Sequence, residues 1–354
     1  MAFDLAQEGR GRVHPNPMVG AVVVNHGRVV GRGAHLAPGL PHAEVVALRQ
    51  AGEAARGSTL YCTLEPCAHQ GRTPPCVDAI VAAGVARTVV ALQDPNPLVD
   101  GRGLRGLRAA GIQVTVADGD VARRAAELNR AFLKYVRTGL PFVTYKAAVS
   151  LDGKVAAASG DARWLSGKES RALVHHWRSE SDAVLIGAGT LRSDDPLLTV
   201  RAAAGRQPHR VVVTRRGGLP TRSRLFDSAE EGPVIVLAEQ LASDEQRRLA
   251  ERGVSLVTYT DGLRGALRAL AARGLLDILC ESGPRLFSGL LTAGLIDRLA
   301  LFLTPVLMGS GAPELLISPA PTRVADGVRL EDVAWTAVGD DLLLQARPVV
   351  AGVA

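Results

Sequence analysis

The sequence predicts an α/β protein of two domains, divided near residue 140, and three observations support this prediction. The chain has 354 residues, more than the roughly 250–300 at which a single hydrophobic core stops growing. Short apolar segments typical of strands alternate along the chain with segments of helical periodicity. The sequence Thr138-Gly139-Leu140-Pro141 interrupts the last helix of the first series. We therefore expect domains at residues 1–140 and 141–354.

The first domain is predicted to be a three-layer α/β sandwich, because strand and helix signals alternate regularly in it. Asn25-His26-Gly27 separates two strand-like segments and predicts a hairpin. The predicted elements are strands 19–24, 28–31, 59–63, 88–92 and 112–116, and helices 42–51, 76–83, 104–110 and 121–136.

The second domain shows a second alternation, unrelated in motif to the first. Its last fifty residues carry no recognisable motif. The predicted elements are strands 142–148, 183–186, 210–213, 234–237, 254–258, 277–280, 299–303 and 342–346, and helices 168–177, 243–251, 265–272 and 286–293.

Composition excludes several classes of protein. With 47% hydrophobic and 21% charged residues, the chain has enough apolar material to fold and is not predicted to be disordered. The uncharged stretch 299–313 is too short and too broken for a membrane span. Asp4 and Glu8 argue against a secretory signal, so we expect a cytoplasmic protein. The net charge of +6 would suit an anionic partner, but 4% aromatic residues offer little for stacking nucleic-acid bases.

A set of metal-ligand residue types indicates zinc. His42 precedes a predicted helix, and Cys67 and Cys76 lie close together after the next strand. A catalytic zinc takes three protein ligands and leaves a fourth position for water, which these three residues would satisfy. A structural zinc, with Cys62 or His69 as a fourth ligand, stays open on spacing alone.

Glu44 makes the catalytic alternative the favoured one. It lies two residues after His42, close enough to take a proton from a water whose pKa zinc lowers towards about 7. His-x-Glu followed by Pro-Cys-x-x-Cys is the signature of zinc nucleobase deaminases. Here eight residues instead of two separate Cys67 from Cys76.

Four segments of the first domain resemble the deaminase half of the RibD family of bifunctional riboflavin biosynthesis proteins. That family carries the eight-residue gap, which therefore supports the resemblance. The segments are His14-Pro15-Asn16-Pro17-Met18-Val19-Gly20, Pro41-His42-Ala43-Glu44, the run from Thr63 to Cys76, and Gln93-Asp94-Pro95-Asn96-Pro97.

The resemblance implies a cytidine-deaminase-like fold, with zinc on His42, Cys67 and Cys76 and with Glu44 as proton shuttle. It implies a diaminopyrimidinone substrate bearing a phosphoribosylamino group, converted to the matching aminouracil with loss of ammonia. Asn16 becomes a candidate for hydrogen-bonding the pyrimidine, since an amide both donates and accepts. His69 and Arg72 become candidates for contacting the ribose or the phosphate.

Three glycine-containing segments of the second domain resemble, in this order, the reductase half of the same family. Glu281-Ser282-Gly283-Pro284 joins a strand to a helix, and helix N-termini bind phosphate. The other two segments are Ser150-Leu151-Asp152-Gly153-Lys154 and the run from Gly187 to Arg201. The resemblance implies a fold like that of dihydrofolate reductase. It also implies NADPH as the cofactor that reduces the ribosyl group to ribityl.

The resemblance also implies the residues that line this second site. Those assigned to the cofactor are Ala148, Trp164, Thr190, Asp194, Thr214, Gly283, Pro284, Arg285, Leu286, Phe287, Ser288 and Gly289. Those assigned to the substrate are Ala162, Arg178, Leu198, Arg201 and Glu281.

Side-chain chemistry supports part of these assignments. Arg178 and Arg201 offer bidentate forks for a phosphate, although either could instead pair with a surface carboxylate. Thr214-Arg215-Arg216 follows a predicted strand, where arginines could recognise the 2′-phosphate of NADPH. Asp194 and Lys146 are candidates for the general acid.

The sequence thus predicts a zinc-dependent hydrolase joined to an NADPH-dependent oxidoreductase. A nucleoside or tRNA deaminase with an appended nucleotide-binding domain is the alternative, but it leaves residues 142–305 unexplained. A zinc-stabilised binding module without catalysis would not require Glu44. We expect a small-molecule substrate, no nucleic-acid or membrane partner, and a homo-oligomer.

Overall fold

The structure is a computed structural model that describes residues 1–71, 74–319 and 321–350. It divides into two compact units, Met1–Gly139 and Leu140–Ala354, one residue from the predicted boundary. Both units are α/β, as the sequence predicts.

The N-terminal unit is built on a five-stranded sheet of order β2-β1-β3-β4-β5. Strand β1 is antiparallel to both of its neighbours, whereas β3, β4 and β5 are parallel. The strands are β1 (Gly20–Asn25), β2 (Arg28–Ala34), β3 (Thr59–Cys62), β4 (Arg87–Val90) and β5 (Gln113–Val116). The helices are α1 (Ala2–Gln7), α2 (Ala43–Ala51), α3 (Cys76–Ala82), α4 (Arg102–Ala109), α5 (Gly119–Leu128) and α6 (Arg130–Thr138).

Helices cover both faces of this sheet, which confirms three layers. Alternate residues such as Ala21 and Leu60 face the core that α2, α3 and α4 cover, because successive strand residues point to opposite faces. Gly20 faces the other side, where a Cβ would lie 2.0 Å from the carbonyl oxygen of Ala2 in α1.

Two glycines of β2 allow α2 to lie directly on the sheet. A Cβ on Gly33 would stand 2.1 Å from the carbonyl oxygen of Ala43 and 2.6 Å from the amide nitrogen of Ala47. A Cβ on Gly31 would stand 2.1 Å from the carbonyl oxygen of Ala47. The position of the helix that begins after His42 therefore depends on these two missing side chains.

The predicted helix 121–136 is wrong in one respect, because the structure has two helices there. Asn129 separates α5 from α6, and its buried amide accepts from the backbone N–H of Met18 at 2.7 Å and donates to the carbonyl of Met18 at 3.0 Å. These bonds hold Asn129 outside helical geometry, at φ −105° and ψ 20°. Helix α1 was also missed by the sequence prediction.

The C-terminal unit is built on a nine-stranded sheet of order β10-β9-β8-β7-β11-β6-β12-β14-β13. Seven strands from β10 to β12 are parallel, and β14 and β13 close the sheet in antiparallel fashion. The strands are β6 (Phe142–Ser150), β7 (Ala183–Gly187), β8 (His209–Thr214), β9 (Val234–Ala238), β10 (Ser255–Thr258), β11 (Asp277–Cys280), β12 (Arg298–Thr304), β13 (Arg329–Val338) and β14 (Asp341–Val349). The helices are α7 (Lys168–Glu180), α8 (Ala188–Asp194), α9 (Arg224–Asp227), α10 (Ser243–Ala250), α11 (Gly262–Ala271) and α12 (Pro284–Thr292).

Alternate residues of the central strands fill two cores on opposite faces of this sheet. Leu185 belongs to the core that α11 and α12 cover, whereas Val184 and Ile186 belong to the core under α8, α9 and α10. Strand β13 was missed by the sequence prediction, because nearly all its residues are exposed and its apolar residues show no buried face. In the part of the chain that the structure describes, no helix has the length and apolarity needed to span a bilayer.

We expect Gly33→Ala to lower the free energy of unfolding of the N-terminal unit by about 1–3 kcal/mol, because a methyl group has no room against α2. Urea unfolding of the full chain measures this, and zinc content reports whether α2 has moved. Gly106→Ala is the matched control, since its Cβ would meet only the side chain of Val77 at 3.3 Å and alanine favours a helix. An unchanged urea midpoint for Gly33→Ala would contradict the close packing.

Candidate active sites

Three elements of the N-terminal unit bring three metal-ligand atoms together. His42 is the residue before α2, Cys67 follows β3, and Cys76 is the first residue of α3. Nδ1 of His42 lies 3.1 Å from Sγ of Cys76 and 3.5 Å from Sγ of Cys67. The backbone N–H of Cys76 also donates to Sγ of Cys67 at 3.3 Å.

This cluster fits a zinc ion with three protein ligands. Ligand atoms of a tetrahedral zinc site are about 3.6 Å apart, and the three atoms here all lie within 4.8 Å of one another. Within the described ranges, neither Cys62 nor His69 joins the cluster. Sγ of Cys62 instead contacts the carbonyl of Val89 at 3.7 Å. The geometry therefore favours an open, three-ligand site over a structural site with four ligands.

Glu44 lies against this cluster and is only 3% exposed. Burial raises the pKa of Glu44 to about 7, with a further contribution from the nearby Cys67. The two thiols share a hydrogen bond that, without metal, lowers the pKa of Cys67 to about 4 and raises the pKa of Cys76. The site thus combines a thiolate, which zinc binds, with a carboxyl group that can exchange a proton near neutral pH.

The other predicted residues of this unit lie in the same region or outside the described residues. Nδ2 of Asn16 lies 3.0 Å from Nε2 of His35, whose ring packs edge-on against that of His42 at 5.2 Å between centroids. Nδ1 of His69 is buried and has no hydrogen-bond partner among the described residues. Arg72 falls outside the described residues.

Two buried carboxyl groups shape the loop that follows β4. Glu65 accepts hydrogen bonds from the backbone N–H groups of Asp94, Gly101 and Leu104, at 3.0–3.2 Å. Burial raises the pKa of Asp94 to about 6, although the N–H of Asn96 donates to its carboxylate. The sequence motif at residues 93–97 is therefore held next to the segment that carries Cys67.

In the C-terminal unit, the two predicted glycine-rich turns come together. The turn after β7 and the turn after β11 lie at the carboxyl ends of adjacent parallel strands. The backbone N–H of Gly283 donates to Oγ1 of Thr190 at 2.9 Å, which joins them. A Cβ on Gly189 would meet nothing within 4 Å. The two turns therefore meet at the N-terminus of α12, the kind of place where a dinucleotide phosphate binds.

The remaining residues assigned to the cofactor lie on different elements and differ in solvent exposure. Ala148 is on β6 and Thr214 ends β8, whereas the exposed Asp194 ends α8. Trp164 is 75% exposed, with the guanidinium of Arg171 4.7 Å from its ring centre.

Within residues 283–289, the side chains of Phe287 and Ser288 are buried. Phe287 stacks on Tyr145 at 4.1 Å, and Oγ of Ser288 accepts from the N–H of Ile317 at 2.8 Å. At the start of α12, Gly283, Pro284 and Leu286 are partly buried, and Arg285 is exposed.

A buried charge cluster lies at the carboxyl end of β11. Nε and Nη2 of Arg178 donate to the two carboxylate oxygens of Glu281 at 2.6 and 3.0 Å. Nζ of Lys146 lies 3.8 Å from the same carboxylate. Burial raises the pKa of Glu281, but the charge of Arg178 and its hydrogen bonds more than offset this, so the pKa is lowered overall. The pKa of Lys146 is lowered by burial.

The guanidinium of Arg178 is thus paired with the largely buried carboxylate of Glu281, and not with the surface carboxylate that was the predicted alternative to a phosphate. Its Nη1 donates to the carbonyl of Thr199 at 3.2 Å, and Nη1 of Arg201 donates to Oγ1 of Thr199 at 3.0 Å. Leu198 is buried with a positive φ of 58°, whereas Ala162 is exposed. Three of the predicted substrate residues, Arg178, Arg201 and Glu281, are therefore connected through Thr199 and these hydrogen bonds, whereas Leu198 packs in the core under α8, α9 and α10.

One functional candidate, His35, was not among the residues predicted from the sequence. His35 follows β2 without any recognisable motif, and only its contacts with Asn16 and His42 reveal it. Lys146 was considered only as a general acid. The available signal was that it is one of four lysines and interrupts an apolar strand.

Comparison with known proteins agrees with this two-site arrangement. Residues 1–92 match the family described as cytidine and deoxycytidylate deaminase zinc-binding region. Residues 141–344 match the family described as RibD C-terminal domain.

Individual relatives match over almost the whole chain. The riboflavin biosynthesis protein RibD of Aquifex aeolicus is 44% identical over 347 residues, covering 97% of this chain and 96% of that protein. Its counterpart in Escherichia coli is 40% identical over 359 residues, with 97% and 96% covered. Because the match includes the second domain, a deaminase with an unrelated appended domain is not favoured.

Solved structures agree with the sequence relatives. A structure of Acinetobacter baumannii RibD has a TM-score of 0.88 at 40% identity, covering 98% of this chain and 97% of that chain. A Thermotoga maritima protein, named as a diaminohydroxyphosphoribosylaminopyrimidine deaminase/5-amino-6-(5-phosphoribosylamino)uracil reductase, has a TM-score of 0.84 at 35% identity, with 98% and 97% covered. The chain belongs to the RibD family and is a bifunctional deaminase and reductase of riboflavin biosynthesis.

Proposed function

We propose that the N-terminal unit hydrolytically deaminates a diaminopyrimidinone that carries a phosphoribosylamino group. The C-terminal unit then reduces the ribosyl group of the aminouracil product to ribityl, with NADPH as reductant. The observation that carries the first half is the buried carboxyl group of Glu44 beside the three ligand atoms of His42, Cys67 and Cys76. The name of the Thermotoga maritima structure supports the choice of substrates.

In the deaminase site, His42, Cys67 and Cys76 would hold zinc, which lowers the pKa of water and so makes a nucleophile available at neutral pH. Glu44 accepts the proton that this water loses. Its carboxyl group delivers this proton to the ring nitrogen. After the hydroxyl has added to the amine-bearing carbon, Glu44 accepts the remaining hydroxyl proton and delivers it to the leaving amine, so that water and the amino group are exchanged for a carbonyl oxygen and ammonia. Glu44 is 3% exposed and lies against the ligand cluster, where a carboxyl group can relay protons between water and a bound pyrimidine.

Substrate binding in this unit is assigned to Asn16, His69 and Arg72. The amide of Asn16 lies one imidazole ring away from His42 and would hydrogen-bond the pyrimidine. The buried Nδ1 of His69 has no partner among the described residues, so a ribose hydroxyl or a phosphate could provide one. Arg72 would add a positive charge for the phosphate.

In the reductase site, the two joined glycine turns would hold NADPH, which supplies the hydride. The first turn of α12 and the hydroxyl of Thr190 lie where the pyrophosphate is expected, and Ala148, Trp164, Asp194 and Thr214 would complete the cofactor site. Arg215 and Arg216, directly after β8, would recognise the 2′-phosphate.

The charge cluster of Arg178, Glu281 and Lys146 would hold the ribose of the second substrate, together with Ala162, Leu198 and Arg201. Of the two candidate general acids, we favour Lys146. It is buried beside Glu281, whereas the carboxylate of Asp194 is exposed and accepts from Oγ of Ser193 at 2.6 Å. A lysine whose pKa is lowered by burial gives up its proton more readily.

We further propose a homo-oligomer that acts in the cytoplasm on a small molecule, without nucleic acid or membrane. The edge strand β13 supports an association between copies, because Val333 and Trp335 are 47% and 54% exposed on it. All four cysteines are free, which suits a reducing compartment.

Glu44→Gln should lower ammonia release by about 10²–10⁴-fold, because glutamine cannot carry the proton. Zinc should stay bound, since all three ligands remain, and the variant should still oxidise NADPH when given the aminouracil. The measurements are ammonia release, zinc content and NADPH absorbance. Retained deamination would show that Glu44 is not the shuttle, and loss of both activities would contradict two separate sites.

Glu281→Gln should abolish reduction and destabilise the C-terminal unit by about 3–5 kcal/mol, because it leaves Arg178 and Lys146 as uncompensated buried cations. Ammonia release should persist. Glu314→Gln is the matched control. Glu314 pairs with Lys154, but its side chain is 69% exposed, and exposed ion pairs contribute at most about 1 kcal/mol to the free energy of unfolding. Full reductase activity in Glu281→Gln would refute the role of the cluster.

Replacing both Arg215 and Arg216 by alanine should lower kcat/KM for NADPH about tenfold or more, because charged hydrogen bonds to the 2′-phosphate are lost. The value for NADH, which lacks this phosphate, should stay the same. Arg222→Ala, at an exposed arginine of the same region, serves as control. An equal decrease with both cofactors would place the 2′-phosphate elsewhere.

A further inference from the structure

His35 is a buried residue of the N-terminal unit to which the proposed mechanism gives no role. It follows β2, is 2% exposed, and lies between Asn16 and His42. Both of its ring nitrogens have partners. A buried polar side chain with two specific partners, next to a metal ligand, is well placed to orient its neighbours.

The partners of His35 determine which ring nitrogen carries the proton. Nδ1 lies 3.3 Å from the carbonyl oxygen of Pro41, which can only accept, so Nδ1 carries a hydrogen. In the neutral imidazole that carries its hydrogen on Nδ1, Nε2 is unprotonated and lies 3.0 Å from Nδ2 of Asn16, a donor. Nε2 therefore keeps its lone pair and acts as an acceptor.

This tautomer in turn orients the amide of Asn16. Nδ2 of Asn16 lies 3.0 Å from Nε2 of His35 and donates to it. The opposite orientation would place the amide oxygen against the lone pair of Nε2, which is repulsive. Among the described residues, Oδ1 of Asn16 accepts no side-chain or backbone hydrogen bond. The chain of contacts from Pro41 through His35 thus leaves a carbonyl oxygen, an acceptor, in a known orientation.

We propose that His35 is a positioning residue for deamination. By accepting from Asn16, it holds the amide so that Oδ1 accepts a hydrogen bond from an N–H of the aminopyrimidine, either a ring N–H or an exocyclic amino group. This inference rests on the proposed function of the unit. If the proposal holds, Asn16 recognises an edge of the pyrimidine that donates a hydrogen bond. The contribution of His35 to substrate binding then depends on the presence of Asn16.

A double-mutant cycle on the full-length enzyme tests this dependence. We expect His35→Phe and Asn16→Ala each to raise KM for ammonia release about tenfold, the effect of one lost neutral hydrogen bond, with a smaller change in kcat. The double variant should be no worse than Asn16→Ala, because coupled residues act as a unit. The proposal would be overturned if the increase in KM of the double variant were the product of the two single increases, or if KM were unchanged in His35→Phe.

Zinc content separates this role from support of the metal ligand. If His35→Phe loses zinc in proportion to activity, its role is to orient His42, and the proposal is overturned. Reduction of the aminouracil by the same preparation controls for the integrity of the chain.

His35→Gln is a second variant in case His35→Phe does not fold. A glutamine amide can donate to the carbonyl of Pro41 and accept from Asn16, so KM should return to within about threefold of wild type. A KM as high as that of Asn16→Ala would overturn the proposal. If Asn16→Ala leaves KM unchanged while Glu44→Gln abolishes ammonia release, this inference and the proposed contact of Asn16 with the pyrimidine fail, whereas the proposed deamination stands. If neither variant affects ammonia release, the proposed function of the unit fails as well.

Discussion

Both sites depend on one constraint, the parallel arrangement of neighbouring strands. Parallel strands end at the same edge of a sheet, so segments that are distant along the chain meet there. In the N-terminal unit, the segments after β3 and β4 carry Cys67 and the motif at residues 93–97, joined by Glu65. In the C-terminal unit, the turns after β7 and β11 meet through Thr190 and Gly283. The parallel direction of these strands thus brings segments of each candidate site to the same edge of the sheet.

Each unit has a carboxyl group with little solvent exposure at its candidate site, and the surroundings of these two groups shift their pKa values in opposite directions. Burial raises the pKa of Glu44 to about 7, and the charge of the nearby His42 offsets only part of this increase. Glu281 is also largely buried but has Arg178 and Lys146 beside it, so it stays ionised. The first carboxyl group suits proton transfer. The second suits the fixed charge that positions a substrate and keeps its neighbours oriented.

Sequence reasoning succeeded where a local pattern has a local cause. The hairpin at Asn25-His26-Gly27, the helix after His42 and the succession of most strands and helices along the chain follow from turn residues and periodicity. It was wrong where a distant contact decides. The break at Asn129 depends on Met18, 111 residues away, and β13 is an edge strand whose exposed residues show no alternation. The contact with Met18 and the edge position of β13 are both absent from the local sequence of residues 121–136 and 329–338.

The sequence by itself determined the two-domain α/β class, the zinc-ligand types and the family, because motif spacing and residue chemistry can be read along the chain. Tertiary structure alone decided which partner each side chain has. It assigned the fork of Arg178 to Glu281 and excluded Cys62 from the metal cluster. It also placed His35 between Asn16 and His42. These outcomes depend on distances between atoms that are far apart in sequence, and a linear pattern does not contain those distances.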